Sequence, residues 1–182
     1  MKTILTSFLG CTLLAVVPMA TVAQTFTEWK DLEVNAVHRL PMHTRYFAYE
    51  SEEAARAGDP SASRNYLSLN GSWKFNWVKE VAMRPTDFYR SDYNDKGWDT
   101  MPVPGMWELN GYGDPLYVNW NYAWKGSFKN NPPFVPEENN HVGSYRREFL
   151  IPSGWDGKQI IAHFGAVTSN LYLWGEWPFC EL

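Results

Sequence analysis

Two pairs of adjacent carboxylates, Glu52-Glu53 and Glu137-Glu138, are the residues that could carry acid–base chemistry. Adjacent side chains usually point in different directions or into solvent, whereas a catalytic acid or base must reach the proton that it transfers. The first pair suits a helix start, where the helix dipole favours acids, and the second lies in a proline-rich loop. We therefore predict no catalytic residue in this chain.

Metal and nucleic-acid chemistry have no recognisable pattern here. The sequence contains no nucleophile elbow and no phosphate loop. The net charge is −4, and the 16 Lys and Arg residues include no basic run of five, unlike the concentrated positive charge of nucleic-acid binders. We predict neither a metal site nor a nucleic-acid partner. Metal-ligand spacing is absent among the four histidines, His38, His43, His141 and His163.

Aromatic residues are abundant, with ten Trp, ten Tyr and ten Phe in 182 residues. The C–H face of a sugar ring packs on indole and phenol rings, and its hydroxyls need polar partners nearby. Residues 111–136 combine aromatic, Gly, Asn and Pro residues with almost no periodicity, which predicts a long loop. Long loops in compact domains are usually functional, although the expected role of any single aromatic here is to pack a face of the β-sandwich.

The first 23 residues are predicted to be a secretory signal peptide. Lys2 gives a positive start, residues 4–17 are apolar, and small residues precede a cleavage site after Ala23. The apolar run is shorter than the ~20 residues that a membrane span needs, so a retained anchor is the weaker alternative. We expect an exported protein, periplasmic or extracellular, that has no membrane contact after cleavage. Cys180 then remains as a single cysteine, without an intramolecular disulfide.

Residues 24–64 are predicted to form an extended arm with one short helix, because they lack a clean period of 2 or 3.6. The helix is placed at Ser51 to Gly58, with Ser51 as N-cap and Gly58 as the stop.

Residues 65–182 are predicted to form an all-β domain, a sandwich or jelly roll. Residues 66–77 predict a hairpin with its turn at Asn70-Gly71, and Trp73, Phe75 and Trp77 on one face. Residues 101–107 predict irregular or edge structure because two prolines exclude a helix. Further strands are predicted at residues 143–151 and 159–164, with another beginning at 170–174.

Several segments in this order carry a family resemblance. They are Glu33-Val34-Asn35, His38-Arg39-Leu40-Pro41-Met42-His43, Ser68-Leu69-Asn70-Gly71-Ser72-Trp73-Lys74-Phe75, Val103-Pro104-Gly105-Met106-Trp107-Glu108, Gly111-Tyr112, Pro115-Leu116-Tyr117-Val118-Asn119, Asn131-Pro132-Pro133-Phe134-Val135-Pro136-Glu137-Glu138-Asn139, Gly143-Ser144-Tyr145-Arg146-Arg147, His163-Phe164-Gly165-Ala166-Val167 and Leu171-Tyr172-Leu173-Trp174. Together they span nearly all of the chain after residue 23, and they resemble the N-terminal region of the glycoside hydrolase family 2 β-galactosidases.

The resemblance implies a jelly-roll sugar-binding domain preceded by an arm that packs on other domains or subunits. It also implies that Asn119 reaches the active site and hydrogen-bonds the galactosyl unit, with Tyr117, Val118 and Trp120 as weaker candidates. An amide suits this role because, like a sugar hydroxyl, it both donates and accepts. Without the resemblance, a turn residue capping its own backbone is the expected role of Asn119.

The full-length enzymes of this family hydrolyse terminal non-reducing β-D-galactose residues of β-D-galactosides. The resemblance implies the retaining scheme, with two glutamates about 5 Å apart on a TIM barrel, and Mg²⁺ and Na⁺ in the full-length enzyme. No barrel fits in this length, and we can place neither ion on these residues. The expected partners are a galactoside or oligosaccharide substrate and the remainder of the enzyme or other subunits.

The family pattern is lost after Trp174, where the sequence reads Gly175-Glu176-Trp177-Pro178. We therefore expect a jelly roll truncated at its C-terminal end, with an unpaired edge and poor solubility. Three interpretations remain: the N-terminal portion of an exported β-galactosidase that is inactive alone, a stand-alone carbohydrate-binding module, and a subunit-interaction fragment.

Overall fold

The computed structural model describes residues 27–44, 46–115 and 135–175. These residues contain one three-stranded antiparallel sheet, built from β1 (Gly71–Val78), β2 (Asp99–Val103) and β3 (Val142–Arg146). The strand order is β2-β1-β3, so the first strand in sequence lies in the middle of the sheet. Strands with little helix are consistent with the predicted β fold. Only one layer of strands lies within the described residues.

The central strand forms because its aromatic and polar residues alternate, which matches the two-residue period of a pleated strand. Phe75 is fully buried, Trp73 and Trp77 are half-buried on the same face, and Lys74 between them is exposed. Met101, opposite Trp73 on β2, is also fully buried. The predicted aromatic face of this strand is confirmed, and it forms the core of the described region.

The predicted short helix is confirmed as α1 (Glu52–Ala57). The Ser51 hydroxyl accepts a hydrogen bond from the backbone N–H of Ala54 at 3.1 Å, as an N-cap should. Gly58 ends the helix with a φ of +71°, a left-handed conformation that glycine adopts without steric cost.

The predicted hairpin at residues 66–77 is wrong, because residues 66–69 form no strand. Carbonyls at the predicted turn are bound by side chains instead. The Leu69 oxygen accepts from the Trp73 indole at 2.7 Å and from the Arg147 guanidinium at 2.6 Å. The Asn70 oxygen accepts from the same guanidinium at 2.9 Å. The partners of β1 come from distant segments, which local turn chemistry cannot reveal.

The other strand predictions have mixed outcomes. The β2 strand is at the edge of the sheet, so the expected edge structure around residues 101–103 is confirmed. The third strand is shorter than predicted and ends at Arg146. Residues 159–164 and 170–174 form no strand. A strand needs a partner for its backbone groups, and no described strand pairs with either segment.

The arm and the end of the described chain contact each other directly. The backbone N–H of Trp29 donates to the Tyr172 hydroxyl at 3.1 Å, and that hydroxyl donates to the Glu28 carboxylate at 3.1 Å. Lys30 forms an ion pair with Glu137. Residues 31–44 have no regular structure. The described ranges also contain five single-turn 3₁₀ helices, at Glu28–Lys30, Pro60–Ala62, Val81–Met83, Glu108–Asn110 and Ser153–Trp155.

Candidate functional site

The predicted sugar contacts Asn119, Tyr117, Val118 and Trp120 lie outside the described residues. The structure does describe where the chain leaves the sheet before them, at residues 104–115, and where it returns, at residues 135–141. We refer to these two stretches as the outgoing stem and the returning stem. Their attachment to the sheet determines where the residues between them begin and end.

The outgoing stem is fixed on the buried face of β1. Its Tyr112 ring packs edge-on against Phe75 at 4.8 Å between ring centroids, and its hydroxyl donates to the Asp99 carboxylate at 3.0 Å. Burial, with the Asp99 bond as a smaller cause, raises the pKa of the Tyr112 hydroxyl. Gly111 allows the preceding turn because its φ is +90°.

A second aromatic contact joins the outgoing stem to β3. The Trp107 indole N–H donates to the Tyr145 hydroxyl at 2.5 Å, and both rings lie against Phe75, at 6.2 and 4.7 Å between centroids. Burial raises the pKa of Tyr145, although the bond from Trp107 partly offsets this rise. These rings close the core next to Gly143, where a Cβ atom would lie only 2.6 Å from Trp107 and 2.8 Å from Phe75.

The returning stem reaches the same strand at Trp77. The imidazole of His141 packs edge-on against Trp77 at 4.8 Å, and its Nε2 lies 3.2 Å from the Asn139 side-chain oxygen. The backbone N–H of Asn139 donates to the Glu80 carboxylate at 2.8 Å, just beyond the end of β1. Tyr112 of the outgoing stem lies 6.4 Å from Trp77, so the two stems meet around one indole.

That indole carries an unusual polar atom. The buried Nε1 of Trp77 has no hydrogen-bond acceptor among the described residues. An unpaired buried N–H usually costs about 1–3 kcal/mol. Around Trp77 the two stems are therefore joined by packing of aromatic rings, and the indole N–H at the centre of this contact has no acceptor among the described residues.

The opposite face of the sheet carries charge. Asp95 forms ion pairs with Lys74 of β1 and Arg146 of β3, and the Arg146 guanidinium also donates to the carbonyls of Tyr93 and Arg90 at 3.3 and 3.1 Å. The hydrogen bond from Lys74 is the main cause that lowers the pKa of Asp95. This cluster binds residues 90–95 to β1 and β3. The sheet that carries the stems is therefore in contact with other segments on both faces.

One carboxylate of each pair considered for catalysis is engaged in a surface ion pair. Glu52 accepts from Arg56 at 2.6 Å, one helical turn away, and Glu137 pairs with Lys30. Within residues 27–44, 46–115 and 135–175, no three His, Cys, Asp or Glu side chains come together as metal ligands. None of the helices in the described part of the chain has the length and apolar character that a membrane crossing requires.

Sequence reasoning found the aromatic face of β1 but missed the rings that cover it. Trp107 and Tyr112 come from the outgoing stem and Tyr145 from β3, and only the fold brings them to Phe75. The glycines were the available signal, because Gly111 and Gly143 mark a tight turn and a close approach of side chains.

Comparison with known proteins gives one consistent result. A family model described as "Glycosyl hydrolases family 2, sugar binding domain" matches residues 66–178. A β-galactosidase of Halalkalibacterium halodurans is 40% identical over 145 residues, which cover 80% of this chain and 14% of that protein. The β-galactosidase large subunit of Leuconostoc lactis is 36% identical over 164 residues, covering 83% and 26%.

A β-galactosidase of Priestia megaterium is 33% identical over 153 residues, which cover 84% of this chain and 15% of that protein. This chain thus spans between 14% and 26% of the length of these three relatives. The match covers the sheet and both stems, so the geometry described above belongs to the shared region.

Proposed function

Because the chain belongs to the sugar-binding domain family of the family 2 glycosyl hydrolases, we propose that it is the N-terminal portion of an exported β-galactosidase. Such an enzyme hydrolyses terminal non-reducing β-D-galactose residues in β-D-galactosides. The match of the family model over residues 66–178 is the observation that carries this proposal. The relatives named β-galactosidase support the same substrate class.

The role of this portion is to hold sugar rather than to cleave it. Asn119 offers a donor and an acceptor to one hydroxyl of the galactosyl unit, with Tyr117, Val118 and Trp120 beside it. The fixed stems support this role, because a side chain that contacts substrate must stand on a rigid base. Packing of Tyr112 on Phe75 and of His141 on Trp77 provides that base at both ends.

Bond cleavage belongs to residues outside this stretch. The retaining scheme needs two glutamates about 5 Å apart, carried on a TIM barrel, and the chain spans only 14% of the Halalkalibacterium halodurans relative. The chain alone is therefore inactive in this proposal. A jelly roll is completed by further strands, and the arm at residues 24–64 docks on the remainder of the enzyme or on other subunits. The basic start, the apolar run and Ala23 direct export.

The test is hydrolysis of a chromogenic β-galactoside by this chain alone and mixed with the Halalkalibacterium halodurans relative lacking its matching 145 residues. We expect no turnover from either part and turnover from the mixture. Turnover by the chain alone would contradict its lack of a catalytic pair. If both parts are folded and the mixture hydrolyses no β-galactoside, the result would contradict the proposal and favour a binding module.

The role of Asn119 is tested in the same mixture. The Asn119→Ala variant should lower kcat/KM by roughly 2- to 13-fold, the equivalent of one hydrogen bond of about 0.5–1.5 kcal/mol. The matched control is Asn94→Ala, an exposed asparagine in a turn whose side chain accepts from the Lys96 N–H. Equal activity of the two variants would show that Asn119 does not contact the substrate.

A further inference from the structure

A cleft lies between the end of the arm and the turn at residues 152–158. Its volume is about 580 Å³, within the range of pockets that hold small ligands. The residues that matter for binding are Glu50, Arg64, Asn65, Tyr66, Trp155 and Lys158. These segments are separate in sequence from residues 117–120, and the proposed hydrolysis assigns them no contact with the galactosyl unit.

One wall of the cleft is a fixed carboxylate. Oε1 of Glu50 accepts hydrogen bonds from the Ser63 hydroxyl at 2.7 Å, the Arg64 backbone N–H at 2.9 Å and the Asn65 side-chain amide at 3.3 Å. The bond from Ser63 is the main cause that lowers the pKa of Glu50, so this carboxyl is ionised at neutral pH. None of these three bonds uses Oε2, which is an acceptor on the same immobilised group.

The other wall is an indole and an ammonium group. The Trp155 indole N–H donates to the Arg64 carbonyl at 2.7 Å, which fixes a half-buried ring across 91 residues of sequence. The Lys158 ammonium donates to the Asn65 side-chain oxygen at 2.7 Å. An ammonium has three donors, and this bond uses one of them. Tyr66 adds a second, partly exposed ring, which packs edge-on against Phe47 at 5.9 Å.

We propose that this cleft binds the pyranose ring of a neutral saccharide, as a second sugar site separate from residues 117–120. The C–H face of the ring packs on Trp155, and Tyr66 lines the same space. Its hydroxyls donate to Glu50 and accept from Lys158.

The charges select the class of ligand. A sulfated or carboxylated sugar would meet the Glu50 carboxylate, and a cationic ligand would meet Lys158 and Arg64. A hydroxyl group satisfies both kinds of partner because it donates and accepts. This inference does not depend on the proposed hydrolysis, since it uses only the cleft and its side chains.

The test is saturation-transfer difference NMR of lactose with the full chain, which requires only a small amount of protein. The experiment is run in the Asn119→Ala background, which weakens binding at residues 117–120, and variants of the cleft then assign the signal that remains. We expect a saturable lactose signal in this background. Loss of the signal on Asn119→Ala alone would overturn the proposal, because all binding would then occur at residues 117–120.

Variants in the same background locate the binding. Lys158→Met keeps the alkyl stem and removes the ammonium, and should raise the Kd for lactose by about tenfold, the scale of one charge-assisted hydrogen bond. The matched control is Lys96→Met, an exposed lysine in the turn after Asp95. Trp155→Ala should abolish the signal, and Trp155→Phe should retain part of it.

Equal Kd values for the two lysine variants would overturn the proposal. A stronger signal from a galactose sulfate than from lactose would refute the neutral class of ligand. The β-galactoside mixing assay fails or succeeds independently of these outcomes, so failure of the cleft and failure of the proposed hydrolysis are distinguishable.

Discussion

Gly143 is a position in the core where the structure leaves no room for a side chain. It lies in β3 opposite Trp77 of β1, and an added Cβ atom would sit 2.6 Å from a Trp107 ring carbon and 2.8 Å from a Phe75 ring carbon. Real Cβ atoms do not approach so closely, so the rings must move. Phe75 is fully buried, and Trp107 is held by its bond to Tyr145, so neither ring can shift cheaply.

We therefore expect Gly143→Ala to destabilise the fold by about 1–3 kcal/mol, the usual cost of overpacking a core. Ordinarily, alanine in place of glycine stabilises a chain by about 0.4–1 kcal/mol when the backbone suits it, through the unfolded state. The matched control is Gly97→Ala, because a Cβ atom there meets nothing within 4 Å. The two variants should thus differ in sign.

Urea unfolding followed by tryptophan fluorescence measures this difference. With a slope of about 2 kcal/mol per molar urea, a loss of about 2 kcal/mol moves the midpoint down by about 1 M. The Gly97→Ala midpoint should equal or exceed that of the wild type. A Gly143→Ala midpoint at or above the control would refute the close packing of Trp107 and Phe75.

Two further predictions concern the side-chain contacts on the two faces of the sheet. Asp95→Asn should destabilise the fold at neutral pH more than Asp92→Asn, which removes only an exposed pair. Because the pKa of Asp95 is lowered in the fold, its contribution is present above its unfolded pKa of about 3.9 and is lost as pH falls through the folded value. The gap between the urea midpoints of wild type and Asp95→Asn should therefore begin to narrow as pH falls below about 4 and close only below the lowered pKa of Asp95. A gap that stays constant down to the acid limit of folding would contradict this role. Tyr145→Phe should lower the free energy of unfolding by about 1–3 kcal/mol because it leaves the part-buried Trp107 N–H without its acceptor. Tyr112→Phe, which removes an exposed hydrogen bond, should lower it by less in the same assay. Equal losses for the two variants would refute this distinction.

Local signals in the sequence were sufficient for the short helix and for one strand. Ser51 and Gly58 bracket α1 because capping depends on residues within one turn of the helix. Alternation of Trp73, Phe75 and Trp77 is likewise a property of one segment, and it identified the buried face of β1. Both features are determined by neighbours in the chain.

Pairing between distant segments could not be read in this way. The sequence Asn70-Gly71 is a strong hairpin signal, yet Arg147 and Trp73 bind the Leu69 carbonyl and β1 pairs with β2 and β3 instead. This is a tertiary contact overriding a local preference. The predicted strand at residues 159–164 failed for the same kind of reason, since alternation makes a strand possible but a partner makes it form.

The candidate site was partly predictable. Composition predicts a long aromatic loop at residues 111–136, most of which lies outside the described residues. The contacts of its stems were not predicted, because Tyr112 and His141 meet only around β1. The cleft between Glu50 and Trp155 had no sequence signal at all. Its hydrogen bonds join residues that are 13 to 93 positions apart, and single residues of these types occur throughout the chain.

The most direct measurement of the central claim is the activity of a chimera. The aligned stretch of this chain would replace the matching 145 residues of the Halalkalibacterium halodurans β-galactosidase, and hydrolysis of a chromogenic β-galactoside would be compared with the unmodified relative. We predict a folded, active chimera whose kcat/KM falls on Asn119→Ala and not on Asn94→Ala. A chimera that folds but hydrolyses no β-galactoside would contradict the assignment of this chain as the sugar-binding portion of a β-galactosidase.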